Sequence, residues 1–166
     1  MSDRFNNKRS AGFTLIELMI TVALIAVIAS FAIPQMGRMI DNNRVVSTTN
    51  SIVGLLNYSR SESIRRGVRV EVDFSSNPIQ ASLSSDGTLV RVLEPTEGGI
   101  SVGVATAGGT STSAIEFRAN GMTEPPTDGS GNPEDVLVTV CSGDATGRRI
   151  TVSPGGRLTT VDYTCP

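Results

Sequence analysis

Hydrophobic residues follow three successive patterns along this chain. Residues 13–33 are almost all apolar, the following stretch repeats apolar positions at intervals of three and seven, and from residue 68 apolar and polar residues alternate. A long unbroken apolar run is typical of a membrane-spanning helix, the second spacing of an amphipathic helix, and alternation of strands. The patterns therefore predict one long N-terminal helix with two different halves, followed by a β-rich domain.

The apolar run contains a single charge. Residues 12–34 read GFTLIELMITVALIAVIASFAIP, and Glu17 is their only ionisable side chain. A helix over residues 13–33 would be about 31 Å long at 1.5 Å per residue, which is enough to cross a bilayer core. An ionised carboxylate at the centre of a span costs about 2.5 kcal/mol or more, and less near an end. We therefore expect a group that compensates the charge of Glu17.

The amphipathic half is predicted to begin at a kink and to end at basic residues. Pro34 removes a backbone donor, so we expect a bend near it. The helix should end near Arg65, Arg66 and Gly67, because cations favour its negative end and glycine accepts a left-handed cap. The predicted apolar face consists of Met39, Ile40, Val46, Ile52, Val53, Leu55 and Leu56.

From residue 68 the sequence predicts short strands. The alternating segments are VRVEVDF, IQASL, TLVRVLE, ISVGV, AIEFR, VLVTVC, RRITVS and LTTVDYT, separated by turns rich in Gly, Pro, Ser and Asn. These features favour an antiparallel sheet packed on the helix, an α+β fold. The predicted organisation is a leader at 1–12, a spanning helix at 13–35, an amphipathic half at 36–67 and a β-rich globular domain at 68–166.

Charge is distributed unevenly, although the net charge is only −2. The leader carries Arg4, Lys8 and Arg9 against Asp3, which gives +2 and leaves −4 for the remainder. The positive-inside rule places the leader in the cytoplasm and the rest outside. The acidic remainder argues against general binding of nucleic acid, which requires a basic surface.

Catalysis and metal binding have little support in this composition. The chain has no histidine, which excludes a Cys/His zinc site and a His-based catalytic dyad. The loop with Asp128, Asn132, Glu134 and Asp135 has the wrong spacing for an EF-hand, so a surface loop is preferred to a calcium site. GDATGRR lacks the spacing and the Lys-Ser/Thr of a phosphate loop. We expect no enzyme activity, no cofactor and no metal.

The two cysteines, Cys141 and Cys165, are predicted to form a disulfide. A chain that crosses or leaves the inner membrane reaches an oxidising compartment, where such pairs normally bridge. Closing a loop of about 25 residues should stabilise the domain by roughly 3 kcal/mol. Two free buried thiols are the alternative.

Arginines at the predicted helix end invite a second interpretation. Arg60, Arg65, Arg66 and Arg69 lie close together in sequence and would suit a phosphate or nucleic-acid site. Basic residues are also common at a well-capped, solvated helix end, and Glu62 offsets part of their charge. We prefer the capped helix end.

The N-terminal stretch resembles the type III signal of type IV pilins and pseudopilins. The match consists of Gly12 before the cleavage point, Phe13 after it, Glu17 at the fifth position of the mature chain, and a long apolar helix. Pro34 falls where the family commonly has a helix-bending proline. A secretory signal cleaved after Ala32, or a plain membrane anchor, would not account for this order of residues.

This resemblance implies processing and assembly. In the family, a prepilin peptidase/N-methyltransferase cuts on the cytoplasmic side of the inner membrane and methylates the new amine, here that of Phe13. The glutamate then pairs with such an amine on a neighbouring subunit, because a buried charge is tolerated when it is paired. The resemblance thus makes Glu17 an assembly residue and the apolar run both membrane anchor and filament core.

The rest of the chain resembles the GspH/FimT family of minor pilins and pseudopilins, and most closely its FimU-type members. Asn43-Arg44, the helix segment LLNYSRSES before Arg65-Arg66, and the C-terminal GRRITVSPGGRLTTVDYTC carry the resemblance. It implies a low-abundance subunit that primes or caps a type IV pilus with other minor pilins and the major pilin. The domain would be periplasmic and then lie in the filament, at its tip.

Two alternatives come from the same family. A GspH-like pseudopilin of type II secretion would use the same chemistry, and a FimT-like subunit would bind DNA during natural transformation. FimT-like members bind DNA through a Gly-Arg-x-Arg motif, from which both local sequences depart: Gly156-Arg157-Leu158-Thr159 and Gly147-Arg148-Arg149-Ile150. Arg148, Arg149 and Arg157 are therefore only candidate contacts for weak DNA binding.

Overall fold

A computed structural model describes residues 12–96, 99–143 and 146–166. It contains one long helix followed by strands, so the predicted pilin-like α+β fold is confirmed. Each strand overlaps one of the alternating segments. The elements are α1 (Leu15–Arg66), β1 (Val70–Asp73), β2 (Gln80–Leu83), β3 (Leu89–Val92), β4 (Ile100–Thr106), β5 (Ala114–Phe117), β6 (Val136–Ser142), β7 (Thr146–Val152) and β8 (Leu158–Tyr163).

The chain divides into two compact units, Met1–Met39 and Ile40–Pro166. The first contains the apolar run, and the second contains the remainder of α1 together with the described strands. Helix α1 is continuous through residue 34, so the bend at Pro34 stays a prediction. The basic leader before Gly12 lies outside the described residues.

The strands of the second unit form two four-stranded antiparallel sheets. One has the order β3-β2-β1-β5 and the other the order β4-β6-β7-β8. In the second sheet, β7 is central and pairs with β6 from Val136↔Val152 and with β8 from Val152↔Leu158. Both registers are continuous, so successive side chains along β7 and β8 point to opposite faces of the sheet.

The buried core combines one face of α1 with one face of each sheet. Along β1, β5 and β6, buried positions alternate with half-buried ones, as strands covered on one side require. The core residues are Val45, Ile52, Leu55, Leu56, Val70, Val72, Ile79, Ala81, Ile115, Phe117, Val136, Val138, Val140, Ile150 and Val152.

The predicted apolar face of α1 is partly wrong. Met39 and Ile40 are 66% and 46% exposed, whereas the hydroxyl residue Thr49 is fully buried beside Ile52. A small hydroxyl can occupy a core position because it donates to its own helix: Thr49 Oγ1 donates to Val45 O at 2.7 Å. Ser59 and Ser63 are buried in the same way. The true face therefore mixes aliphatic residues with small hydroxyls.

The C-terminal end of α1 agrees with its sequence signals. The helix ends at Arg66, and Gly67 follows with a φ of 67°, in the left-handed region that glycine adopts without strain. Arg65 and Arg66 lie in the last turn, next to the negative end of the helix dipole.

Candidate functional site

The start of α1 is capped by its own sequence. Thr14 precedes the first helical residue, and its Oγ1 accepts a hydrogen bond from the backbone N–H of Glu17 at 3.3 Å. Thr-x-x-Glu is the pattern of a capping box, and Glu17 lies in the first turn, where the positive end of the helix dipole favours an acid. The spacing of Thr14 and Glu17 is the sequence signal for this cap, although the apolar run around it draws attention to membrane insertion. The cap compensates part of the cost of the charge without a partner molecule.

The apolar run exposes its side chains around the whole helix. Its large apolar residues, from Phe13 to Ile33, are 55–82% exposed. The two hydroxyl residues of the run that lie within α1 bond inside the helix, since Thr21 donates to Leu18 O at 2.8 Å and Ser30 to Val27 O at 2.7 Å. This segment is long and apolar enough to cross a membrane, by length and composition. Such a surface requires lipid or other apolar helices around it.

Glu62 neutralises the basic end of α1. Its buried carboxylate accepts hydrogen bonds from Arg65 Nε at 2.8 Å, Arg65 Nη2 at 2.7 Å and Arg66 Nε at 2.6 Å. The bonds from Arg65 and then Arg66 lower the pKa of Glu62 from 4.5 to about 2. The two arginines are therefore engaged within the helix, which favours the capped end over a phosphate site.

Arg69 is also paired inside the domain. Its Nη1 lies 3.1 Å from Glu124 Oε2 and 3.3 Å from Glu116 Oε1. Arg118 Nε donates to Glu124 Oε2 at 2.6 Å, and this interaction lowers the pKa of Glu124. The charges of this group nearly cancel, so it offers little attraction to a polyanion.

Arg60 ties the helix to two loops. Its Nε donates to Gly121 O at 2.9 Å, in the turn after β5. Thr123 N and Oγ1 both donate to Pro154 O at 3.1 Å, which joins this turn to the β7–β8 turn. At Gly156, with φ of 75°, a Cβ would lie 3.0 Å from Arg60 Nε. We call Arg60, Gly121, Thr123, Pro154 and Gly156 the loop latch. Arg60 therefore has a structural contact of its own and does not act with the basic residues at the end of the helix.

The three candidate DNA contacts do not converge. Arg148 and Arg149 are neighbours on β7, so their side chains leave opposite faces of the sheet. Arg148 Nη2 lies 3.3 Å from Asp162 Oδ1, and the Arg149 guanidinium stacks 4.0 Å from the centre of the Tyr163 ring. Arg157 is exposed in the turn at the opposite end of β8 from Asp162. Asp144, which is close to Arg148 in sequence, lies outside the described residues.

The predicted disulfide is present between Cys141 and Cys165. It joins β6 to the segment after β8 and lies over Gly147 on β7, the Cα partner of Cys141. A Cβ at Gly147 would lie 2.9 Å from Cys141 Sγ and 2.7 Å from Val140 O, so only glycine fits beneath the bridge. No local sequence pattern singles out this glycine, because the bridge above it joins distant parts of the chain.

The acidic loop uses its carboxylate internally. Asp128 Oδ1 accepts hydrogen bonds from Ser130 N and Asn132 N, both at 2.8 Å. The side-chain bond from Asn132, followed by these backbone bonds, lowers the pKa of Asp128. Within the described residues there is no group of three Cys, Asp or Glu side chains placed to hold a metal ion.

Comparison with known proteins identifies both parts of the chain. A family model described as "Type II transport protein GspH" matches residues 48–156, about two thirds of the chain. A second, described as "Prokaryotic N-terminal methylation motif", matches residues 7–33. The chain is also similar to the crystal structure of the type IV minor pilin FimU of Pseudomonas aeruginosa strain PAO1. The TM-score is 0.58 at 18% identity over 72% of this chain and 90% of that one, a likeness that shows the fold.

Proposed function

The chain belongs to the GspH family, and on that premise we propose that it primes or caps the assembly of a type IV pilus and so supports pilus biogenesis and twitching motility. Membership makes it a minor pilin or pseudopilin of a type IV pilus or a type II secretion system, a structural protein and not an enzyme. The methylation motif implies processing by a prepilin peptidase and anchoring in the inner membrane before assembly.

The observation that carries the proposal is the first turn of α1. Glu17 is an exposed carboxylate on an otherwise apolar, exposed helix surface, and within the described residues no arginine forms an ion pair with it. Cleavage after Gly12 would free the amine of Phe13 for methylation. The amine of a neighbouring subunit then supplies the cation that Glu17 lacks, and apolar helices of other pilins cover the remaining surface. Pairing offsets the desolvation of both charges in the filament core.

We prefer the pilus role to the alternatives within the same family. The FimU-like fold fits a pilus subunit and a GspH-like pseudopilin equally, so the resemblance of the sequence to FimU-type members carries this preference. DNA uptake has less support, because Arg148 and Arg149 lie on opposite faces of the sheet, Arg157 lies in a turn, and Arg149 stacks on Tyr163. In this proposal, the globular domain is periplasmic, later lies at the filament tip, and contacts other minor pilins and the major pilin.

Assembly tests this function most directly. In cells that carry the corresponding pilus genes, Glu17→Ala should leave the protein in the membrane fraction but remove it from sheared filaments and reduce surface piliation. Thr21→Ala is the matched control, because it removes a polar group from the same helix that already bonds internally. Normal incorporation of Glu17→Ala would contradict the proposal. Loss of protein secretion with intact piliation in the deletion strain would assign the chain to type II secretion.

A further inference from the structure

Three of the four sheet edges among the described residues are covered or irregular. The edge of β5 is covered by its own following loop, where Glu124 N donates to Glu116 O at 2.8 Å. Part of the edge of β4 is covered where Thr112 N donates to Val104 O at 3.2 Å. The β3 edge is four residues long, and the register of its pairing with β2 shifts. Such features are the usual protection of an edge against pairing with another chain.

The remaining edge, β8, has none of this protection. Its six residues, LTTVDY, include no proline, glycine or lysine and pair in continuous register with β7. No other described segment forms a backbone hydrogen bond with β8. The four central residues are exposed, among them Val161 at 54%. A regular, open edge whose only charged residue, Asp162, lies near one end is a template for strand addition.

The turn before β8 indicates which backbone groups point outward. Ser153 N donates to Arg157 O at 3.0 Å, so these two residues form a hydrogen-bonded pair of the β7–β8 hairpin. Bonded and non-bonded pairs alternate along an antiparallel ladder. Counting from this pair, the N–H and C=O groups of Leu158, Thr160 and Asp162 point away from β7 and are available to another strand.

The charged residues near the two ends of β8 indicate which side chains a partner strand should carry. Arg157 precedes β8 and is exposed, and Asp162 near its other end is 89% exposed. The ion pair of Asp162 with Arg148 is therefore largely in solvent, where such pairs are weak and exchange readily. An antiparallel partner fits best when it has a basic residue opposite Asp162, an uncharged β-branched centre and an acidic residue opposite Arg157.

We propose that β8 is a docking strand to which an extended segment of a neighbouring pilin subunit adds as a fifth, antiparallel strand of the β4-β6-β7-β8 sheet. This inference rests on the proposed incorporation into a filament. Main-chain hydrogen bonds to Leu158, Thr160 and Asp162 supply attraction, and the end charges fix register. The partner is thereby defined by chemistry as a pilin with an exposed, uncharged extended segment flanked by opposite charges.

Replacing one outward N–H tests the docking strand. In the full-length protein in its own membrane, a benzophenone amino acid at position 161 is photolysed, and adducts are identified by mass spectrometry. We expect an adduct with another pilin, attached within an extended segment of that partner. Thr160→Pro removes the outward donor and leaves the β7 ladder intact, so adduct yield should fall roughly tenfold or more, since an unpaired partner carbonyl is costly. Thr160→Val, which keeps the N–H, is the matched control and should retain the adduct.

The outcomes separate this inference from the proposed function. Folding of each variant is checked by the Cys141–Cys165 bridge and protease resistance; if Thr160→Pro does not fold, Thr160→Lys replaces it as an edge-blocking charge with the same expected loss. If Thr160→Pro is folded and keeps its adduct, or if filaments containing the chain give no pilin adduct from position 161, the docking strand is wrong while the filament role stands. Glu17→Ala reaching filaments normally would instead remove the filament role.

Discussion

The two compact units place one carboxylate each in opposite environments. In the second unit, Glu62 is buried and accepts three hydrogen bonds from Arg65 and Arg66 of its own helix. In the first, Glu17 is exposed and is helped within the described residues only by the helix cap and dipole. The globular unit therefore satisfies its buried charge within the chain, whereas the charge of the apolar unit requires another molecule. Folding stability should depend on the second unit, and entry into the filament on the first.

Blocking maturation should have the largest effect on the first unit. Replacing Gly12 by Val should obstruct the peptidase, because the proposed cleavage junction accepts little more than a methyl group, and unprocessed protein should accumulate. Gly12→Ala is the control that should still be processed. N-terminal sequencing of membrane-extracted protein measures the result. A wild-type chain that begins after Ala32, or that keeps Met1 in the presence of the peptidase, would refute the cleavage site.

Opening the disulfide should have the largest effect on the second unit. Reduction should remove roughly 3 kcal/mol on the chain-entropy model, a large part of the 5–15 kcal/mol typical of a domain. The melting temperature of the full chain in detergent should fall by several degrees with reductant. The double variant Cys141→Ser/Cys165→Ser should melt at the lower temperature with or without reductant. A melting temperature insensitive to reduction would show that the bridge does not restrain the C-terminus.

These differences were only partly visible in the sequence. Alternation predicted the strands, and Arg66-Gly67 predicted the helix end, because both depend on neighbours in sequence. The predicted buried face of α1 was wrong at Met39, which is exposed. The spacing of aliphatic residues alone cannot show that the hydroxyl residue Thr49 is buried instead. Adjacency in sequence suggests one basic patch at Arg148 and Arg149, but neighbouring side chains on a strand point to opposite faces of the sheet.

Long-range contacts were beyond local patterns. Arg60 meets Gly121 across 61 positions, and the space for Gly147 depends on where Cys165 returns to the sheet. The partition of the strands into two sheets has the same origin, because β1 pairs with β5 across three intervening segments.

The loop latch offers a smaller perturbation of the second unit. Arg60→Ala leaves the Gly121 carbonyl without its donor, and an unsatisfied polar group costs about 1–3 kcal/mol. The control is Arg44→Ala on the same helix, whose pair with Asp41 is 3.7 Å long and about half exposed. Exposed pairs contribute about 0–1 kcal/mol. Thermal unfolding of the two variants compares them, and equal losses would mean that the latch has no special role.

Acid should weaken the second unit through Glu62. Its pKa is about 2 in the folded chain and 4.5 ordinarily, so between these values the unfolded state binds more protons. The stabilisation is fully present above pH 4.5, declines as pH falls, and is lost below about pH 2. Glu62→Gln is the control, because it cannot titrate. The stability difference between wild type and this variant should shrink on acidification over that range, and a constant difference would contradict the role of Glu62.

Substitutions at the candidate DNA contacts should show the smallest effect, because the arginines of the second unit do not form one basic surface. The chain after the leader carries a net charge of −4. Of the candidate DNA contacts, Arg148 and Arg149 lie on opposite faces of the sheet and Arg157 lies in a turn. Even three phosphate contacts would give weak, salt-sensitive binding, because each contributes about one unit of salt slope. We expect short duplex DNA to bind the full chain with a dissociation constant of about 10⁻⁴ to 10⁻⁶ M at physiological salt, the nonspecific range. Arg148→Ala and Arg157→Ala should change a fluorescence titration no more than the control Arg44→Ala does. Clearly tighter binding that disappears in either of the first two variants would contradict this expectation and would favour DNA uptake over a purely structural role.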